Sequence, residues 1–155
     1  MKLCVRINGA EHELEARTDE SILDVVRRDL GLLSVRETCG IGVCGACTVL
    51  LDGEPVSGCL LLAPLADRRE ITTVEGLDGD DPIQRAFSDA HAFQCGYCTP
   101  GMILTAKRLL EENPRPNEEQ VRLALAGNLC RCGCHVKIVD AVLRAADTEE
   151  DGWMS

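Results

Sequence analysis

The sequence predicts an α+β fold in two parts, a strand-rich first half of the β-grasp type and a second half built as a four-helix bundle. Three observations point there. Apolar residues alternate with polar ones in short runs through the first half, helix caps and helical spacing take over in the second, and residues 76–80 between them are rich in Gly and Asp. A chain of 155 residues has room for one ordinary domain or two small ones. The expected division is 1–76 and 80–147, with an acidic tail over 148–155 that is expected to be disordered.

In order along the chain, Leu3, Val5 and Ile7 alternate with Lys2, Cys4 and Arg6, a strand with one buried face. Asn8-Gly9 is a hairpin turn signal, and residues 12–16 return as the second strand. Ile22, Val25, Val26 and Leu30 recur at helical spacing, with Thr18-Asp19 as candidate caps and Gly31 as the stop. Thr48-Val49-Leu50-Leu51 turns at Asp52-Gly53 into Pro55-Val56, and residues 70–74 form a last short strand. In the second half Asp81 caps, and Pro82 opens, a helix to about Phe93. Thr99-Pro100 repeats that device for a helix to about Glu112, closed by Asn113-Pro114-Arg115-Pro116. Asn117 with Gln120 is a capping-box pattern for a third helix to about Gly127. Val136, Ile138, Val139, Val142 and Leu143 are the apolar stripe of a fourth.

Composition removes several functions. Apolar residues reach 45%, enough to fold, but aromatics only 3%, and the net charge is −10 from 16 Lys+Arg against 26 Asp+Glu. Single strands bind on aromatic platforms and duplex backbones on cations, so nucleic-acid binding is excluded. No apolar run reaches the roughly 18 residues of a membrane span. The N-terminal residues begin a strand rather than a signal peptide, and no twin-arginine signal is present, so the expected location is cytoplasmic. Ten cysteines dominate the composition. In a reducing compartment, clustered cysteines more often hold metal than form disulfides.

The first cluster of cysteines is Cys39-Gly-Ile-Gly-Val-Cys44-Gly-Ala-Cys47, with Cys59 beyond the next hairpin. This C-x4-C-x2-C run with a distant fourth cysteine is the plant-type [2Fe–2S] spacing, whereas a zinc site favours two close pairs. Gly40, Gly42 and Gly45 suit a loop that turns backbone N–H groups toward sulfurs carrying a cluster of formal charge about −2. The second cluster is Cys95-Gly-Tyr-Cys98 with Cys130-Arg-Cys132, each pair at or before a predicted helix N-terminus, where anions are favoured. Spacing alone leaves it open between zinc, a dithiol and iron–sulfur.

Four stretches together carry a resemblance. The first-loop motif extended through Thr48-Val49, the link Thr73-Val74-Glu75-Gly76-Leu77, the run from Gln94 to Met102, and Gly127-Asn128-Leu129-Cys130-Arg131-Cys132 resemble the small iron–sulfur subunit of the molybdenum hydroxylases. This is the xanthine oxidase / aldehyde oxidoreductase / CO dehydrogenase family, and the likeness spans residues 1–146. The resemblance implies a β-grasp, plant-type ferredoxin domain followed by a four-helix domain, each with one [2Fe–2S] cluster. The ligands are then Cys39, Cys44, Cys47 and Cys59 for the first, and Cys95, Cys98, Cys130 and Cys132 for the second. It also implies a large molybdenum–pterin subunit and a medium FAD subunit, assembled as a heterotrimer or a dimer of heterotrimers. Electrons would pass from molybdenum through the helical-domain cluster, then the ferredoxin-domain cluster, to FAD or an external acceptor. Neither a Rossmann glycine fingerprint nor the length for a molybdopterin domain is present, which agrees with separate subunits. The chain has no catalytic acid, base or nucleophile cluster of its own. Its expected work is electron transfer. The competing readings are a free-standing two-cluster ferredoxin and, third, a structural zinc module.

The resemblance places a pterin-contacting glutamine at Gln94, against the plain alternative of an exposed helix-end amide, and brings Cys132 toward the pterin as well as iron. Tyr97 reads as local packing that excludes water. His12, His91 and His135 invite a Rieske-type reading, but eight cysteines already fill the sites, so each reads as a surface or packing residue. The acidic runs at 78–81, 111–112 and 149–151 read as solvated faces. After Cys132 the family pattern is Thr-Gly-Tyr, whereas this chain has Gly133-Cys134-His135. That leaves Cys134 and Cys4 as spare thiols, with Cys134 expected as a small buried apolar side chain rather than a ligand.

Overall fold

The structure, a computed structural model, describes residues 1–151. Strand alternation builds its first half. Leu3, Val5 and Ile7 of β1 (Lys2–Ile7) are buried, and the Asn8-Gly9 turn returns the chain as antiparallel β2 (Ala10–Glu15). β3 (Thr48–Leu51) pairs antiparallel with both β4 (Glu54–Ser57) and β5 (Glu70–Thr72), and β5 runs parallel to β1. The sheet order is therefore β2-β1-β5-β3-β4. Helix α1 (Ile22–Leu30) lays Ile22, Leu23, Val25 and Val26 on the core that Leu3, Val5, Val49 and Ile71 supply from the sheet. Its cap is Ser21, whose hydroxyl accepts from the Asp24 N–H at 3.2 Å, in place of the expected Thr18-Asp19. Ser21 wins because it directly precedes the first helical residue, where a hydroxyl can reach the orphan donors; such a cap contributes about 1 kcal/mol. β5 also ends early, since the chain turns into a 3₁₀ turn over Val74–Leu77.

The second half holds four helices around a separate core that includes Phe87, Met102, Val121, Ile138 and Val142. Asp81 and Gln84 form a capping box, with Pro82 as the first residue of α2 (Pro82–Asp89). That helix stops four residues short of Phe93, because His91 adopts a left-handed φ of 49° that no helix can continue through. α3 (Thr99–Glu112) follows the expected bounds. α4 (Glu118–Ala124) carries the Asn117/Gln120 capping box and tightens into a 3₁₀ turn over Leu125–Gly127. α5 (His135–Asp151) is longer than its stripe suggested. It runs past residue 148, where the tail was expected to become disordered; residues 152–155 of that tail lie outside the described residues. Among the described residues, no helix is long and apolar enough to cross a membrane.

α3 packs against β3 and β4, which sets the helical half on the sheet half. Glycine makes the approach possible. A Cβ on Gly101 of α3 would stand 2.2 Å from the Gly45 carbonyl oxygen, a backbone atom that cannot swing away. Arg108 of α3 closes the same seam with an ion pair to Glu54 of β4 at 2.5 Å.

Candidate functional site

The loop from Cys39 to Cys47 joins α1 to β3 and presents three cysteines within nine residues of chain. Gly40 and Gly42 lie at φ 65° and 74°, in the left-handed region, and the loop around them aims the Ile41, Val43 and Cys44 N–H groups at the Cys39 sulfur. Those donors, Ile41 foremost, together with the Cys44 thiol, hold the Cys39 thiol down to about 6. Cys47 is buried, and burial pushes it up to about 11. Cys59 follows β4 and donates its N–H to the Cys47 sulfur at 3.5 Å. The four thiols thus meet as two touching pairs, Cys39 with Cys44 and Cys47 with Cys59.

The second set gathers at two helix starts. Cys98 is the residue before α3, and Cys130 and Cys132 sit in the turn before α5. The Tyr97 N–H donates to the Cys95 sulfur at 3.4 Å, and the Cys134 N–H donates to the Cys130 sulfur at 3.4 Å. The Tyr97 N–H, then the Cys132 thiol, lowers Cys95. Burial pushes Cys98 up to about 12, with the Cys130 thiol adding to the effect. At Cys130 burial acts upward, but the Cys134 N–H, the Cys98 thiol and further N–H groups outweigh it, and the thiol is lowered. Here too the thiols form two pairs, Cys95 with Cys132 and Cys98 with Cys130, and the Cys134 thiol makes a further contact with Cys130.

These residues fit [2Fe–2S] clusters. Each set supplies four free thiols arranged as two pairs, which matches two irons with two thiolates each. Backbone N–H groups already face the sulfurs, as a buried anionic cluster requires.

The two sites are joined. Leu129, one residue before Cys130, donates its N–H to the Cys44 carbonyl at 2.9 Å. Asn128, only 5% exposed, donates through Nδ2 to the Gly45 carbonyl at 3.1 Å. Arg36 reaches from the first loop to the Gly96 carbonyl at 2.5 Å and lies over the Tyr97 ring.

Several side chains behave differently from their sequence reading. Tyr97 is 45% exposed and donates its hydroxyl to the Glu37 carbonyl at 2.7 Å, so it ties two loops together rather than excluding water. His135 accepts the Cys130 N–H on Nε2 at 3.3 Å, a direct contact with the second site. Cys134 is half-buried against the helical core. His12 and His91 stay away from both sites, on β2 and after α2. Gln94 is exposed next to Cys95, and Cys132 is exposed as well. Asn128 and Arg36 had no assigned role in the sequence; the available signal was their adjacency to Cys130 and Cys39.

A sheet and a helical half, each with a four-thiol site and linked by hydrogen bonds, define a two-cluster iron–sulfur electron carrier. Residues 5–73 match the 2Fe-2S iron-sulfur cluster binding domain, and residues 73–143 match a [2Fe-2S] binding domain. The chain is 47% identical over 146 residues to the nicotinate dehydrogenase small FeS subunit of Eubacterium barkeri, covering 92% of this chain and 93% of that protein. It is 37% identical over 164 residues to the aldehyde oxidoreductase iron-sulfur-binding subunit of Escherichia coli, covering 94% and 72%. Among solved structures, quinoline 2-oxidoreductase from Pseudomonas putida 86 superposes with a TM-score of 0.92 at 39% identity, covering 98% of this chain and 97% of that one. The aldehyde oxidoreductase of Desulfovibrio gigas gives 0.92 at 37% identity, with this chain matching 18% of that longer polypeptide. The chain belongs to the family of iron–sulfur subunits of the molybdenum hydroxylases. It carries two [2Fe–2S] clusters and serves electron transfer as a non-catalytic part of a multi-subunit oxidoreductase.

Proposed function

We propose that residues 1–76 and 80–147 are two domains with one cluster each, ligated by Cys39, Cys44, Cys47 and Cys59 and by Cys95, Cys98, Cys130 and Cys132. Bound there, each cluster supplies a one-electron carrier. Electrons released by substrate oxidation on a large molybdenum–pterin subunit enter at the helical half and leave from the sheet half, toward a medium FAD subunit or an external acceptor. The complex is a heterotrimer or a dimer of heterotrimers, in the cytoplasm, where the two thiols left outside the clusters, Cys4 and Cys134, stay reduced.

The observation that carries this reading is the Leu129 N–H bond to the Cys44 carbonyl. It places a ligand-bearing loop of one site one hydrogen bond from that of the other. Surface character supports the direction. Gln94, Cys95 and Cys132 are exposed together at the helical-half site, as a pterin contact through Gln94 and Cys132 needs. Ile41, Val43 and Leu60 are 68%, 57% and 57% exposed at the sheet-half site, an apolar rim suited to a partner subunit.

Purification of the native complex, with identification of its chains and cofactors, tests the assembly. The isolated chain is expected to accept electrons from a strong reductant and to oxidise no organic substrate; turnover by the chain alone contradicts the reading. In the complex, Gln94→Ala is expected to slow substrate-driven cluster reduction at unchanged iron content, and unchanged kinetics would remove Gln94 from the path.

A further inference from the structure

We propose that Arg36 is a positioning residue for the helical-half site and raises the reduction potential of the cluster held there, an inference that rests on the two-cluster reading above. Arg36 is rooted in the first loop, where its N–H donates to the Ala46 carbonyl at 3.2 Å. Its side chain leaves that loop altogether. One guanidinium nitrogen donates to the Gly96 carbonyl at 2.5 Å, and the guanidinium lies 4.9 Å from the centre of the Tyr97 ring. Tyr97 answers by donating its hydroxyl to the carbonyl of Glu37, the residue after Arg36, at 2.7 Å. Two reciprocal bonds and one stacked cation therefore close a clasp between residues 36–37 and residues 96–97.

Gly96 and Tyr97 are the two residues between Cys95 and Cys98. The Tyr97 N–H donates to the Cys95 sulfur at 3.4 Å, so the residue gripped by Arg36 is also the donor to a ligand sulfur. Cys95 is exposed, and its loop has little burial to hold it. The clasp supplies that restraint and keeps the N–H aimed. It also fixes a permanent cation against this loop, in a chain whose net charge is −10. Reduction adds negative charge to a cluster, so a fixed cation and a fixed N–H donor both favour the reduced form. Arg36 is half-buried, which weakens solvent screening of its charge. A lysine keeps the charge but loses the planar fork and the stacking.

The test is a potentiometric titration of the complete chain, following each cluster's reduced-state magnetic signal separately, in wild type, Arg36→Gln and Arg36→Lys. Arg36→Gln is expected to keep both signals and the full iron content. It should shift the helical-half reduction equilibrium toward the oxidised form by roughly tenfold, with the sheet-half equilibrium within about twofold of wild type. Arg36→Lys is expected to shift the same equilibrium by about two- to threefold in the same direction. An unmoved helical-half equilibrium in Arg36→Gln, or an equal shift in both clusters, overturns the proposal. Where Arg36→Gln sheds iron from the helical half, Arg36→Lys carries the measurement, and no shift there overturns it. Failure of the underlying reading looks different: wild type itself would hold well under about four irons per chain or show a single signal.

Discussion

Asn128 donates through Nδ2 to the Gly45 carbonyl oxygen at 3.1 Å, so a residue two before Cys130 is fixed to the residue after Cys44. The contact is buried, and the next residue in the chain, Leu129, adds the parallel bond to the Cys44 carbonyl. The seam between the halves is therefore held at the place where the two sites come nearest along the hydrogen-bond network. Asn128→Ala is expected to lower stability by about 1–2 kcal/mol. The loss is moderated because the Gly45 carbonyl also accepts from the Thr48 hydroxyl at 2.8 Å. Thermal unfolding checks the magnitude, and iron content should stay normal.

Gly101→Ala sets two effects against each other. Alanine in a helix interior gains about 1 kcal/mol over glycine. Here the new Cβ would meet the Gly45 carbonyl at 2.2 Å, and α3 must move off the sheet half to relieve it. Such overpacking costs about 1–3 kcal/mol, so the clash offsets the propensity and the variant is expected to be less stable than wild type. A rise in the unfolding temperature would mean that the halves are not held in contact at Gly101.

Glu75 makes the link between the halves pH-sensitive. Burial pushes its carboxyl up, but hydrogen bonds from the Ser34 hydroxyl, the Thr73 hydroxyl at 2.5 Å and the Ser34 N–H at 3.0 Å outweigh it and hold it below its ordinary 4.5. A folded-state value below the unfolded one contributes stability that is complete above about pH 4.5 and fades as pH falls through the lower folded value. Glu75→Gln should therefore be less stable than wild type at pH 7, by about 1 kcal/mol after allowance for solvent. The gap should close as pH falls below about 4.5. Any acid lability of the clusters is common to both proteins, so the difference between them reports Glu75.

The ligand assignment separates cysteine by cysteine. Cys44→Ser should remove the sheet-half signal and spare the other, and Cys98→Ser the reverse. Cys132→Ser should lose the helical-half cluster. Cys134→Ser should keep the full iron content, because Cys95, Cys98, Cys130 and Cys132 already supply the four thiolates that complete a [2Fe–2S] site. The opposite result for these last two would move the ligand by one cysteine.

Much of this was legible in the sequence because it rests on local signals. The alternation at Leu3, Val5 and Ile7 and the Asn117/Gln120 capping box each act within a few residues, and each appears as expected. Boundaries decided by a single backbone angle or a competing cap were not legible. Helix α2 ends at a left-handed His91, and α1 takes Ser21 over Asp19. Least legible were contacts between residues far apart in the chain, such as Arg36 to Gly96, Ser34 to Glu75 and Asn128 to Gly45. They depend on how the halves dock, and docking leaves no period or motif in one sequence.

The measurement that bears most directly on the account is iron content together with low-temperature magnetic resonance of the purified chain after dithionite reduction. About four irons per chain and two distinguishable [2Fe–2S] signals are expected, one lost in Cys44→Ser and the other in Cys98→Ser. A colourless protein containing zinc, or about two irons with one signal that both variants abolish together, would contradict it.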